Sequence, residues 1–480
     1  MTSLLSLCDE LLHEVFTFVN FPDLFRLAAT CRTFKAYIKG NKLLWKDMYL
    51  QNFDEPPAWT EVDWELRLKD ITHLQNILMS ENEDVKRRNL RLVVQSIVDL
   101  LHHANKIQAQ SRNIRFLQEQ FENPLNRNVF LSSSGLYGYA ADGTKRAGTE
   151  EQRAAPTAAE RQLSAKLHAY FGTSYEIFGR TRSTAAHPYA RSKVYDLRNY
   201  NNRNSWGPYL DDLSFRPDWE KIESIMIDLG FNMRNFIDSL DHGKGGDGDM
   251  YGTPFFGITP QSYVPIQEFV CPGVKALVES GSWKARNRQV KVMTQQPSIP
   301  LEARDPYGVS GTWRRIVCFL DYNDLYAFNF LSPDPTPGEM REPITTQEAI
   351  RLITMKIKVN KISDPGEGDR KDMPVVHFTG MSRSMHASWD PNANSKITGS
   401  VRMTQNGDVR WVTLSIFHGE TRWRSECIQL GGIRSARGVI GTWFDKNYDP
   451  NGPAGPTAFW KVCEEDQGHV WEDEIDSVEG

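Results

Sequence analysis

Between Leu7 and Val19 the apolar residues Leu7, Leu11, Leu12, Val15, Phe16 and Val19 recur at steps of one, three and four, a broad stripe along one amphipathic helix. Asn20-Phe21-Pro22 breaks it. Asp23 stands where it can cap a second helix with Leu24, Leu27, Ala28, Cys31 and Phe34 on one face, and Leu43, Leu44, Trp45, Met48 and Tyr49 form a third apolar cluster. Three short helices in the first 50 residues cannot bury that much surface against one another, so part of it is expected to await a partner. After the Pro56-Pro57 stop, Trp64, Leu68, Ile71, Leu74 and Leu78 mark a helix opened by a Thr60 and Asp63 capping box. Val85 to Ile107 carries a second helical stripe and Arg115 to Phe121 a shorter one, which together predict a helical stalk over residues 51–131.

Residues 132–156 are rich in Gly, Ser, Ala and charge and predict a mobile loop. A Thr157 and Glu160 capping box followed by Leu163, Leu167 and Tyr170 starts a helix, and a second domain, 157–464, is expected to begin there. Tyr195 to Tyr209 reads as loop or extended chain, and Asp218 to Leu240 as a helix with Trp219, Ile222, Ile225, Met226 and Leu229 at helical spacing. From Gly252 the period shortens to that of strands. Arg314 to Phe330 reads as a hairpin turning at Tyr322-Asn323-Asp324, and Ile353, Met355, Ile357 and Val359 alternate with polar residues. Asn406-Gly407 marks another hairpin, His418-Gly419-Glu420 a third turn, and Gly438 to Phe444 a last strand before a Pro/Gly-rich segment, Pro450 to Pro456, and an acidic tail, 465–480. At least six antiparallel strands in meander order predict a barrel or a sandwich.

The N-terminal stretch, residues 1–50, resembles an F-box. It carries Glu10-Leu11-Leu12, Val15-Phe16, Pro22-Asp23-Leu24, Ala28-Ala29, Cys31-Arg32-Thr33-Phe34 and Leu44-Trp45-Lys46 in the order and spacing of that family, with Leu7-Cys8 where the family usually has Leu-Pro. Proline there would start the helix at its first position, so the departure touches the helix entry. The resemblance implies a Skp-type adaptor as partner, a cullin scaffold reached through it, and an adaptor-binding face drawn from Leu7, Leu11, Leu12, Val15, Phe16, Pro22, Leu24, Leu27, Leu44 and Trp45. Trp206-Gly207-Pro208 and Asp218-Trp219-Glu220 resemble segments of a large fungal group of F-box proteins. Gly308-Val309-Ser310-Gly311-Thr312-Trp313, echoed by Gly438-Val439-Ile440-Gly441-Thr442-Trp443, resembles the Gly-x-Trp with which lipocalin-like barrels open, where the tryptophan seals the floor.

Composition narrows the field. The chain's 480 residues can build sizeable cores, and 56 basic against 61 acidic residues, a net charge of −5, argue against a nucleic-acid partner held by phosphate neutralisation. Six scattered cysteines without C-x-x-C spacing, no Asn-x-Ser/Thr acceptor, no signal-peptide pattern and no membrane-length apolar run favour the cytoplasm or nucleus.

Catalytic and metal motifs are missing. Gly243 to Gly248 spells G-x-G-x-x-G without a preceding strand, and Asp247 and Asp249 lack the further ligands of a calcium loop. His102 and His103 point to different helix faces and read as surface residues, while His377 sits in strand alternation. No metal or other cofactor is therefore expected. One cluster suggests binding: six arginines (402, 410, 422, 424, 434, 437) against Asp408, Glu420 and Glu426. Arg410, Arg422 and Arg424, with Trp423 on the opposite face, form the expected target-binding surface, suited to an acidic or phosphorylated segment.

The sequence thus predicts an α+β multidomain protein: a three-helix F-box and stalk, then an antiparallel β-barrel or sandwich with flanking helices. The implied role is the non-enzymatic substrate receptor of an SCF-type ubiquitin ligase. A non-ligase scaffold or a small-molecule-binding barrel is the alternative.

Overall fold

The computed structural model describes residues 4, 7–56, 61–104, 111–137, 156–172, 182–241, 300–336, 338–385, 393–435 and 437–463. They fall into two compact units, Met1–Gly138 with Arg146–Phe171, and Tyr139–Lys145 with Gly172–Gly480.

The first unit is helical. Its N-terminal stretch forms four helices rather than three: α1 (Asp9–Thr17), α2 (Phe21–Ala28), α3 (Arg32–Ile38) and α4 (Lys42–Asn52). The expected second helix splits because the Cys31 sulfur accepts the Phe34 amide at 3.4 Å and starts a new one. Asp23 does not cap α2; it lies in the first turn, bonded to Arg26 at 2.7 Å. Asp63 is itself the cap of α5 (Trp64–Met79), accepting the Leu66 amide at 3.1 Å. The expected helix over 85–107 is two, α6 (Glu83–Arg88) and α7 (Leu90–His102), and α8 (Arg112–Glu122) is followed by α9 (Pro124–Leu131). Phe53 joins the N-terminal helices to this stalk, its ring 5.8 Å from Phe21 and 5.5 Å from Phe116. Beside it the Asp54 carboxylate accepts the Ser111 hydroxyl at 2.6 Å and the Arg112 amide at 2.9 Å.

Helix α10 (Ala158–Phe171) opens with the expected capping box, the Thr157 amide donating to Glu160 at 2.7 Å and the Glu160 amide to Thr157 at 3.3 Å. It does not begin the second domain. It packs on α7 and α9, because its buried face of Ala165, Leu167, His168 and Phe171 completes their apolar side. The start of the expected mobile loop is packed as well: Leu136 is buried, and the Ser133 amide donates to Ser164. Residues 138–155 of that loop and the acidic tail lie outside the described residues.

The second unit is a closed barrel of eight antiparallel strands in sequence order. They are β1 (Gly311–Phe319), β2 (Ala349–Ser363), β3 (Val375–Ser384), β4 (Asn394–Met403), β5 (Val409–Phe417), β6 (Glu420–Gln429), β7 (Val439–Asp445) and β8 (Ala454–Cys463). Two expectations fail here. Tyr322 to Phe330 is no returning strand but helix α13 (Tyr322–Tyr326) and a wider π-type turn, Ala327–Leu331, because Asp321 caps it by accepting the Asn323 amide. Pro450 to Pro456 does not end the sheet: β8 starts inside it and closes the ring onto β1. Pro456 is tolerated because it pairs only with Thr442 of β7, and the β1 ladder begins at Thr457. The His418-Gly419 turn has both residues at positive φ, 50° and 78°, the two-residue geometry whose twist matches the strands.

Inside, Trp313 lies 5.1 Å from Trp411 and 5.8 Å from Phe459, with Phe378, Met355, Ile397 and Val401 around them, and its indole N–H donates to Val309 O at 2.9 Å. The echoed Trp443 occupies another level, against Trp423 at 5.2 Å. Outside, helices α11 (Arg182–Tyr195) and α12 (Trp219–Asp241) cover β1, β7 and β8. Replacing Trp313 with alanine removes one of the two tryptophans that fill that end of the core. It should cost the second unit about 3–5 kcal/mol, read as a lower urea midpoint.

Candidate functional site

The stripe on α1 divides into two faces. Leu12 and Phe16 turn inward, the Phe16 ring meeting Phe34 edge-on at 5.4 Å, while Leu11, Val15 and Phe18, spaced by four and three, stay in solvent. Leu11 is 52% exposed, Phe18 84% and Leu43, at the start of α4, 62%. Of the ten expected contact residues, Leu12, Phe16, Leu24, Leu44 and Trp45 are therefore core. Trp45 stacks on Phe25 at 4.7 Å and donates its indole N–H to Ile38 O at 2.9 Å. Leu7, Pro22 and Leu27 are half-buried. Phe18 and Leu43 were missed, although Phe18 continues the Leu11 and Val15 spacing by three.

The arginine surface is mostly an internal ion cluster. Glu426, fully buried on the outer wall of β6, receives Arg410 through two bonds of 2.9 and 3.0 Å and Arg424 through bonds of 3.2 and 2.5 Å. The register explains it: Val412 opposes Glu426, so Arg410 and Arg424 each sit two residues from that pair on the same face. The Arg410 guanidinium is covered by Phe215, at 4.0 Å from its ring, and Tyr209. Arg422 is exposed and lies over its neighbour Trp423, 5.4 Å from the ring, while Trp423 itself turns into the barrel mouth. As a target-binding surface this set is corrected: only Arg422 remains without an acid partner among the described residues, and Arg410 and Arg424 serve the wall.

The segment from Leu197 to Pro217 lies along that wall. Trp206 packs on Phe444 at 5.4 Å and its carbonyl accepts the Thr442 hydroxyl at 2.8 Å, while Tyr209 donates to Cys427 O at 3.2 Å. Gly207 is required, since a Cβ there would stand 2.3 Å from the Tyr209 ring. The buried Lys221 ammonium donates to Asn199 O and Gly207 O at 2.8 and 3.0 Å, and burial pushes its pKa down to about 8.

Two further groups can be examined as sites. His187, Asp228 and Glu348 converge as three potential metal ligands. Arg191 already stands where a cation would: it pairs with Glu348 and, at 3.5 Å, with Asp228. Burial raises the pKa of both carboxyl groups, and Tyr195 donates to Glu348 at 2.7 Å. Burial first, and the Arg191 charge second, push His187 down to about 3. The cluster is thus a salt-bridged joint tying α11 and α12 to the start of β2. A cleft of about 610 Å³ lined by Lys193, Asp196, Arg198, Asp334 and Arg341 is likewise neutralised from within, Arg198 meeting Asp196 at 2.7 Å and Arg341 pairing with Asp334. His103 is no free surface residue but shares a polar seam with Arg67 and Asp99, and His377 bonds Ser363 at 3.0 Å. The loop spanning Gly243 to Asp249 lies outside the described residues.

Glu426→Gln should strand two guanidinium groups and cost about 3 kcal/mol or more, seen as a lower melting temperature of the second unit, whereas Arg422→Glu should leave it unchanged. His187 gives a pH test. The unfolded chain protonates it near 6.5 and the folded chain only near 3, so stability is lost as pH falls through that window. The loss is up to about 1.4 kcal/mol per pH unit. Melting curves of His187→Gln should therefore fall less steeply than those of the unaltered chain between pH 6.5 and 4.

No curated protein and no solved structure matches the chain. Residues 4–46, from Leu4 through α1, α2 and α3 into α4, match the model of the F-box domain, so the N-terminal helices with their exposed Leu11 and Leu43 are an F-box domain.

Proposed function

We propose that the protein is the substrate-recognition subunit of an SCF-type ubiquitin ligase. The F-box binds a Skp-type adaptor and through it a cullin, and the barrel unit holds a target protein. The observation that carries this reading is the row of exposed apolar side chains, Leu11, Val15, Phe18 and Leu43, on a domain matched as an F-box. Exposed apolar residues grouped on a fold whose other stripe is already buried are the mark of a contact surface. The chain does no covalent chemistry in this reading: it raises the effective concentration of target lysines near a conjugating enzyme. It would act in the cytoplasm or nucleus. The barrel is read as lipocalin-like, on the support of its unbroken meander and of Trp313 closing one end from the first strand.

The test replaces residues that are exposed. Leu12 is unsuitable, because a charge at this buried position would unfold the domain. Leu11→Asp with Phe18→Asp puts two charges into an apolar contact, a cost of several kcal/mol, so adaptor recovered in a pull-down should drop more than about a hundredfold with an unchanged melting curve. Retention of the adaptor at the level of the unaltered chain would refute the docking face. Adaptor recovered without cullin would turn the reading to a non-ligase scaffold.

A further inference from the structure

Only half of the barrel interior is built as a core. The register turns Trp313, Arg315, Val317 and Phe319 of β1 inward, and the first belongs to the aromatic cluster that fills one end. Arg315 does not. Its side chain is almost wholly withdrawn from solvent, at 5% exposure; Nε donates to the Thr457 hydroxyl at 2.9 Å and Nη2 to the Ser425 hydroxyl at 2.5 Å. Nη1 donates to nothing among the described residues, and no carboxylate there pairs with the guanidinium. Burial lowers its pKa, yet an arginine keeps its charge in a protein.

An unpaired buried charge costs several kcal/mol, and other arginines withdrawn into the second unit stand against acids. Arg410 and Arg424 have Glu426, and Arg191 has Asp228 and Glu348. Arg315 has no such acid among the described residues, and its surroundings are polar as well. Thr413, opposite Ser425 in the β5 to β6 ladder, is 2% exposed and its hydroxyl has no partner. Ser382, Ser395 and Ser425 also face inward, and the first two hydroxyls meet at 2.9 Å. Trp423 and Trp443 stand edge to face beyond them. Val317 and Phe319, further along β1, face inward and are only partly buried. Among the described residues the inward positions of the eight strands carry one acid, Asp445 at the end of β7.

We propose that this half of the barrel is a binding site for a small organic carboxylate with an apolar or aromatic body. The carboxylate takes the free N–H groups of Arg315 and the Thr413 hydroxyl, and the body lies against Trp423 and Trp443. A guanidinium balances one negative charge and offers a planar fork that matches a carboxylate. A phosphate dianion would leave an excess charge in the same low-polarity enclosure. The proposal does not depend on the adaptor-binding role, which concerns the other unit.

The experiment is a thermal-shift titration of the full chain with benzoate, 3-phenylpropionate and octanoate, each beside its own alcohol, with inorganic phosphate and acetate as further arms. At least one acid should raise the melting temperature of the second unit saturably while its alcohol does not, and acetate and phosphate should act at least tenfold more weakly. Arg315→Met, of similar length and without the charge, should melt at the same or a higher temperature and bind that acid at least tenfold more weakly. The proposal is overturned if every alcohol does as well as its acid, if phosphate does as well as the best acid, or if Arg315→Met retains the affinity. A lower melting temperature for Arg315→Met without ligand would also overturn it, showing the arginine to be a strut. The comparison of acid with alcohol needs no variant and stands even where the substitution impairs folding.

Discussion

Everything in the second unit follows from the ladder that joins the last strand to the first. Residues Thr457 to Lys461 of β8 pair with Val317 to Trp313 of β1, and with that the sheet has no free edge. Closure gives every side chain of the sheet one of two addresses, a common interior or an outer wall. Alternation then assigns each, so neighbours in sequence such as Trp423 and Arg424 enter different environments. The outer wall is covered in turn by α11, α12 and the segment carrying Trp206 and Tyr209, which is why polar groups on it must find partners.

Local signals of the fold were legible in the sequence where one period dominated a segment. Ile353 to Val359 alternates and is β2; Leu68, Ile71, Leu74 and Leu78 repeat with helical spacing and lie along α5. The signal failed where a local rule met a distant partner. Gly455 and Pro456 read as chain-ending, yet the strand they open is held by β7 and β1, the latter some 140 residues earlier, a distance no window spans. Tyr322 to Phe330 has the aromatic content of a strand, and a single Asp321 cap decides for a helix.

The candidate surfaces show the same limit from another side. Periodicity located the apolar positions of α1 but could not say which of two adjacent rows, Leu12 with Phe16 or Leu11 with Val15, turns toward α3 and α4. Counting charges found the arginines of β5 and β6 but not that Glu426 lies between two of them. Arg315 drew no notice in the sequence because it follows Arg314 and looks like half of an exposed basic pair. Alternation sends one outward and the other into the barrel. What separates a solvated charge from a buried one is the register, and the register is set by strands far away in the chain.

Helix α10 adds an ordering in time to this architecture. The faces of α7 and α9 that it covers belong to residues made early in synthesis, whereas α10 ends at Phe171, some forty residues after Leu131. A chain growing from its N-terminus therefore carries a complete set of F-box helices while the stalk beneath them still shows an uncovered apolar side. The first unit reaches its native core only once Phe171 has cleared the ribosome, and until then that open side is a surface for chaperones or for premature association.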